Sequence, residues 1–231
     1  MLNIIGIIKA AVLNGTPLLF GTSGEILTQK SGNMNLGVEG LMFMGGAFGL
    51  AGAFTYSNVA GEAASGAIAI IIAILCAFTA GFLGSLIFSF LTVTLKANQN
   101  VTGLALTIFG TGVGQFVGEI MRIKIGGNVT IPNALKNAFV NPVMPEFLRK
   151  IPFAGELLFS YNLFVYIGVA MVIVMHYFLN KTRKGLNLRA VGESPATADA
   201  AGINVTRYRY LATCIGGGIS SLGGMIYIMT I

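Results

Sequence analysis

Charged side chains are scarce in this sequence of 231 residues. Asp, Glu, Lys and Arg together make up 10% of the chain, whereas a soluble domain carries about a quarter. Apolar residues make up 55%, and the mean hydropathy is +0.80. This composition excludes an ordinary soluble enzyme and indicates several membrane spans. The net charge of +6 comes from short basic clusters beside apolar runs, which favours membrane orientation over nucleic-acid binding.

Groups that carry out chemistry are equally few. There is one histidine, and both cysteines lie in apolar runs, so no side chains have the spacing of metal ligands. The segment GEILTQKS (24–31) resembles a phosphate-binding loop, but Gln29 replaces its second glycine and no strand precedes it. Three glutamates near the ends of apolar runs, Glu25, Glu39 and Glu119, are explained by a membrane interface. The sequence therefore predicts a non-enzyme without a metal or a cofactor of its own.

Six apolar runs are long enough to cross a bilayer as helices, which takes about 20 residues each. They are apolar on all faces, whereas barrel strands alternate over about ten residues. The expected fold is therefore an all-α polytopic bundle in one transmembrane domain. Its predicted spans are 4–27, 36–54, 64–95, 100–120, 160–180 and 209–231.

The basic cluster KTRKGLNLR (181–189) predicts the cytoplasmic side of the membrane. Counting spans back from it places the long 121–159 loop outside, although that loop is also basic. Glycines recur four residues apart, as in Gly45 and Gly49 or Gly110, Gly114 and Gly118. Small residues at this spacing favour close helix packing in lipid, with a subunit interface or a substrate path as the alternative.

A polar segment at 181–208 follows the fifth predicted span. Ser194 and Pro195 are typical of a helix start, and Gly202 is typical of a left-handed stop. The intervening helix is short and rich in alanine, so it is too small to be stable alone. Docking into a groove of a partner is favoured over a connector on lipid, because the helix lacks a large apolar face.

Four blocks of the sequence together resemble a known family. They are TPLLFGTSGEILTQKSGNMNLGVEGLMFMGG (16–46), ANQNVTGLALTIFGTGV (97–113), IPFAGELLFSYNLFVY (151–166) and GLNLRAVGESPATADAAGINVTRYRYLA (185–212). The chain resembles the permease subunit of an ATP-binding-cassette importer of the branched-chain amino acid, ribose and nucleoside group, and within it the permeases for nucleosides and simple sugars.

The resemblance implies a non-catalytic subunit of the cytoplasmic membrane. A second permease subunit, identical or not, would complete the path. Two cytoplasmic ATPases would bind ATP and Mg, and an extracytoplasmic lipoprotein or periplasmic binding protein would deliver the solute. The implied ATPase-coupling residues are Glu193, Ser194, Pro195, Ala198, Asp199, Ala200 and Gly202. Family members continue with further spans, so a chain that ends at Ile231 is expected to be incomplete or naturally short.

The polar stretch SGNMNLGVEG (31–40) is expected to form the cytoplasmic turn between the first two spans, with Asn35 capping the second helix. The candidate pathway or gate residues are Asn35, Glu39, Gln99, Asn100 and Thr102. Two other classes stay open at this point. One is a carrier or channel that works without ATPases, and the other is a structural membrane subunit.

Overall fold

The structure is a computed structural model that describes residues 4–127, 129, 131–145, 147 and 154–230. Over these residues the chain is helical, without a β-strand. The long helices are α1 (Ile4–Lys30), α2 (Val38–Ala60), α3 (Gly66–Ser89, continued by a π-helical turn Phe90–Thr94), α4 (Gln99–Ile125), α7 (Leu163–Lys181) and α10 (Val205–Thr230). The short helices are α5 (Asn133–Val140), α6 (Ala154–Leu158), α8 (Arg183–Glu193) and α9 (Pro195–Ala200).

Six of these helices are long and apolar enough to cross a membrane, which confirms the predicted all-α bundle. Their ends differ from the predicted spans where polar residues continue a helix. Helix α4 extends to Ile125 instead of 120, and α10 begins at Val205 instead of 209. Helix α2 begins later than predicted, at Val38. Parts of the predicted 121–159 loop, and Ile231 at the end of the sixth span, lie outside the described residues.

Side-chain caps fix the start of several helices. The Asn98 carboxamide oxygen accepts hydrogen bonds from the backbone N–H groups of Asn100 and Val101, which starts α4. Asn162 caps α7 in the same way, and the Thr182 hydroxyl caps α8 by accepting from the N–H of Gly185. These side chains accept hydrogen bonds from backbone N–H groups in the first turn of each helix, which have no partner within the helix.

Helix α10 is the central helix and packs against α1, α2 and α3. It is able to do so because its buried face consists largely of glycine and serine. A β-carbon placed on Gly216 would lie 2.5 Å from the carbonyl oxygen of Gly24 in α1. The Ser220 hydroxyl donates to the Gly21 carbonyl at 3.0 Å, and the Ser221 hydroxyl to the Ala77 carbonyl at 2.7 Å. Between Gly216 and Gly224, backbone contact and serine hydrogen bonds thus take the place of large side chains, which pack instead around Met225 and Ile226.

The predicted glycine faces pack mostly within the bundle. Gly45 faces the backbone of Ser221, Gly110 faces Gly40, and Gly114 faces the ring of Phe43. Gly118 is different, because a β-carbon there would meet no atom within 4 Å. Close packing inside the chain therefore explains the spacing up to Gly114.

Replacing Gly224 by alanine is expected to destabilise the bundle. A β-carbon at this position would overlap the carbonyl oxygen of Met42, a backbone atom that cannot rotate away. Overpacking of this kind costs about 1–3 kcal/mol. Gly112→Ala is the matched control, since its β-carbon would meet nothing within 4 Å. Thermal unfolding in detergent should show a lower Tm for G224A alone, and equal Tm values for the two variants would contradict this packing.

Candidate functional site

The segment between α1 and α2 runs back into the bundle. Near its start the Gly32 carbonyl accepts from Gln99 Nε2 at 3.5 Å, and near its end the Leu36 carbonyl accepts from Thr107 Oγ1 at 3.2 Å. These two partners are separated along α4 by a rise of about 12 Å, so the segment is close to fully extended. The expected turn between α1 and α2 is therefore confined to its two ends, and residues 33–35 between them run back along α4, so α2 starts well inside the bundle.

Burial along this segment alternates as in a β-strand. Ser31, Asn33 and Asn35 are buried, whereas Met34 and Leu36 are 48% and 45% exposed. The polar side chains point inward and the apolar ones outward, the reverse of a strand in a soluble protein. This arrangement suits a chain whose exterior faces lipid or another subunit. The backbone of the segment has a separate requirement, since backbone outside a helix is tolerated at membrane depth only when the protein supplies its hydrogen bonds.

Side chains of three helices supply those hydrogen bonds. The Met34 N–H donates to Gln99 Oε1 of α4 at 2.8 Å, and the Asn35 N–H donates to Glu25 Oε1 of α1 at 3.0 Å. The Asn33 side chain is paired as well, since its Nδ2 donates to the side-chain Oγ1 of Thr213 in α10 at 3.0 Å. Arg209 of α10 also participates, since its Nε donates to the Ser31 carbonyl at 3.3 Å.

Two of the five predicted pathway residues meet at this extended segment: Asn35 is part of it, and Gln99 binds it from α4. Asn35 does not cap α2 directly. Its Oδ1 accepts from the N–H of Gly37 at 2.8 Å, which forms a turn just before the helix. Asn100 is exposed on α4, and the Thr102 hydroxyl donates to the Asn98 carbonyl at 2.8 Å, so within the described residues neither side chain supplies a hydrogen bond to the segment.

Glu25, Asn33, Thr213 and Arg209 also belong to this site, although no prediction from the sequence named them as site residues. Glu25 had a local signal, as an acid near the end of an apolar run. The other three residues are identified only by long-range contacts, because Asn33 and Thr213 are 180 positions apart in the sequence.

Glu39 lies apart from the extended segment, in an open cleft of about 410 Å³ between α1, α2 and α10. The cleft is lined by Asn14, Pro17, Leu18, Glu39, Met42, Phe43, Gly224, Tyr227 and Ile228. The Glu39 carboxylate is exposed and has no hydrogen-bond or ion-pair partner in the described part of the chain. The walls of the cleft are mainly apolar and include two aromatic rings, those of Phe43 and Tyr227.

The predicted start and stop of the short polar helix are confirmed. Pro195 is its first residue, and the Ser194 hydroxyl bonds the Thr197 hydroxyl at 2.7 Å in place of a backbone N–H. Gly202 has φ +80°, and the N–H of Ile203 donates to the Ala198 carbonyl at 3.0 Å. This pattern is a glycine-based C-terminal cap.

The two faces of α9 differ. Ala198 is 3% exposed and packs against the chain itself, whereas Thr197, Asp199 and Ala200 are exposed. Glu193, at the end of α8, is exposed and lies 3.9 Å from Arg189. A partner on this side of the protein would therefore meet Asp199 and Ala200 and would not reach Ala198.

Two glycines, Gly192 and Gly32, allow the end of α8 to contact the start of the extended segment closely. A β-carbon at Gly192 would overlap the Lys30 carbonyl oxygen, and one at Gly32 would lie 3.3 Å from the Gly192 α-carbon. Gly32 also has φ +86°, a left-handed conformation that favours glycine. The end of α8 thus rests directly on the backbone where α1 ends.

Glu25→Leu is expected to destabilise the protein by about 1–3 kcal/mol, because the N–H of the buried residue Asn35 loses its acceptor. Glu25→Gln is the matched control, since its carboxamide oxygen still accepts that hydrogen bond. Thermal unfolding in detergent should lower the Tm much more for E25L than for E25Q. Equal losses would mean that the charge of Glu25, and not this hydrogen bond, stabilises the segment.

The chain matches one family along nearly all of its length and is similar to several curated transport proteins. The family described as "Branched-chain amino acid transport system / permease component" matches residues 7–231. The chain is 33% identical over 220 residues to the putative glucose ABC transporter permease protein TsgC13 of Haloferax volcanii, covering 95% of this chain and 61% of that protein.

It is also 33% identical to the guanosine ABC transporter permease protein NupQ of Bacillus subtilis, covering 97% of this chain and 67% of the relative. The nucleoside ABC transporter permease protein NupC of Lactococcus lactis is 29% identical, with 100% and 70% covered. The chain thus spans about two thirds of the length of these relatives, and no solved structure matches it.

The matches confirm the resemblance found in the sequence. With the six long apolar helices, they place the chain in the cytoplasmic membrane as a multi-pass protein. The chain belongs to the family of branched-chain amino acid transport system permease components.

Proposed function

We propose that this chain is the permease subunit of an ABC importer that moves a nucleoside or a simple sugar, driven by partner ATPases that bind α9. The observation that carries this proposal is the short helix α9, which is exposed on the basic side of the bundle and anchored through Ala198. Relatives named as ABC transporter permeases for guanosine, nucleosides and glucose support both the transport mechanism and the solute class.

The proposed partners follow from the same assignment. Cytoplasmic ATPases bind ATP and Mg and carry out the hydrolysis, so this chain needs no cofactor. A second permease subunit, identical or different, completes the path, and an extracytoplasmic lipoprotein or periplasmic binding protein delivers the solute.

The contact between Gly192 and the end of α1 provides a route for coupling. A displacement of α8 and α9 by the ATPases reaches the Lys30 carbonyl and Gly32 through backbone contact, without a flexible side chain between them. Arg209, which donates to the Ser31 carbonyl, adds a second connection from the start of α10. Both connections end on the extended segment, so nucleotide-driven motion changes the depth or tilt at which α2 begins.

The cleft around Glu39 is the proposed solute-contacting surface. A carboxylate at membrane depth is too costly to face lipid, so Glu39 faces a water-filled path or a partner. Its oxygens accept hydrogen bonds from solute hydroxyl groups, and Asn14 adds an amide nearby. The rings of Phe43 and Tyr227 offer stacking surfaces, which favours a nucleoside over a simple sugar.

A carrier that works without ATPases is the second candidate. It is supported by the extended segment, because secondary transporters also place non-helical backbone inside the membrane. The two functions differ in whether uptake depends on ATP hydrolysis by a partner, which the next experiment measures.

Ala200→Trp is expected to lower solute uptake roughly tenfold or more, because a bulky ring on the exposed face of α9 disrupts docking. Uptake and ATPase activity are measured in proteoliposomes that contain the complete transporter. Val59→Trp is the control, since Val59 is 83% exposed and lies near the C-terminal end of α2, outside α9. Uptake by A200W at the wild-type rate would exclude α9 as the coupling helix, and uptake without any ATPase would favour the carrier.

Glu39→Gln is expected to lower uptake about tenfold or more at low solute concentration, because hydrogen bonds to a charged group contribute about 1.5–3 kcal/mol. The control is Glu119→Gln, which removes a carboxylate paired with Arg122 on the exposed surface of α4. Uptake at several solute concentrations separates a change in KM from a change in maximal rate. Unchanged uptake by E39Q would show that the solute does not contact Glu39.

A further inference from the structure

A second groove lies between α1 and α7, away from the cleft around Glu39. Its volume is about 430 Å³, and it extends along both helices at their basic ends. It is lined by Leu19, Thr22, Ser23, Ile26, Lys30, Val172, Met175, His176, Leu179, Asn180 and Arg189. The groove is apolar toward the middle of the helices and cationic toward their ends.

The cationic end contains two groups with unused hydrogen-bond donors. The Lys30 ammonium has no hydrogen-bond or ion-pair partner among the residues that the structure describes. Arg189 donates through Nη1 to Asn180 Oδ1 at 3.1 Å, which holds its guanidinium on α7. The nearest acid, Glu193, is 3.9 Å from Arg189 and its side chain is 75% exposed, so it neutralises this charge only weakly.

The hydroxyl groups in the apolar part of the groove are already hydrogen-bonded within α1. The hydroxyl of Thr22 donates to the Leu18 carbonyl at 2.9 Å, and that of Ser23 to the Leu19 carbonyl at 2.6 Å. Both hydroxyls are thus satisfied by the preceding turn of α1. The apolar side chains there include Ile26 and Val172, which are 45% and 40% exposed.

We propose that this groove binds an anionic phospholipid. The phosphate of the lipid lies between Lys30 and Arg189, and one of its acyl chains follows Ile26 and Val172 toward the middle of the membrane. Cationic pockets between transmembrane helices on the cytoplasmic side suit this class of ligand, because anionic headgroups and apolar chains meet both halves of the groove. A purely apolar partner helix would cover the apolar half and leave two cations unpaired.

The bound lipid connects two elements that the coupling route also connects. Lys30 is the last residue of α1, and Arg189 belongs to α8, immediately before the exposed helix α9. One phosphate between them acts as a shared counterion. The lipid composition of the membrane therefore changes how firmly α8 is held against α1.

The test measures lipid retained by the purified full chain. The chain is reconstituted in nanodiscs that contain phosphatidylglycerol and phosphatidylcholine, and bound lipids are identified by native mass spectrometry. The wild type is expected to retain phosphatidylglycerol preferentially. The double variant Lys30→Gln, Arg189→Gln should reduce that preference by roughly thirtyfold, from the contribution of two interfacial cations. Lys184→Gln, Arg207→Gln is the matched control, with the same change of charge at exposed positions that do not line the groove.

A second variant tests the apolar half without changing charge. Val172→Trp fills the groove from an exposed position and should also release the lipid. Inorganic phosphate added to the wild type should leave the retained phosphatidylglycerol unchanged. The proposal fails if K30Q/R189Q retains the lipid, if the control variant loses it equally, or if inorganic phosphate displaces it.

Discussion

Every backbone hydrogen-bonding group that leaves a helix inside a membrane needs a partner from the protein itself. Residues 31–37 of this chain meet that requirement with side chains drawn from α1, α4 and α10. The requirement places otherwise unexplained polar residues. Glu25 and Gln99 lie where the extended backbone passes them, and the burial of Asn33 follows from the path of that backbone. The position of α2, and with it that of Glu39, depends on the same set of contacts.

Close approach of backbones is the second constraint, and it is met by removing side chains. Helix α10 contacts α1, α2 and α3 through glycine and serine, so the bundle is held by van der Waals contact and short hydroxyl–carbonyl hydrogen bonds. Large apolar side chains form a separate buried cluster that includes Phe20, Phe164 and Met225. The Gly192 contact follows the same principle, so in the proposed coupling route a displacement of α8 reaches α1 through backbone atoms, which cannot change rotamer.

Local features of this sequence were predictable, and long-range ones were not. The six spans follow from apolar length, and the stop at Gly202 follows from the identity of one residue. The inward path of SGNMNLGVEG could not be predicted, since its partners are as distant as Thr213. The direction of Ala198 was equally hidden, because an alanine-rich helix has no apolar stripe to show which face is buried. Glu25 was visible as an acid in an apolar run, but an interfacial position explained it equally well.

The order in which the chain is synthesised gives the extended segment a further consequence. Residues 31–37 leave the ribosome soon after α1, whereas Gln99 follows much later and Arg209 is 178 positions away from Ser31. Until α4 and α10 have been made, the backbone of this segment has only α1 and water as partners, and water is absent from the hydrocarbon core. This segment can therefore reach its final depth only after α10 has supplied Thr213 and Arg209.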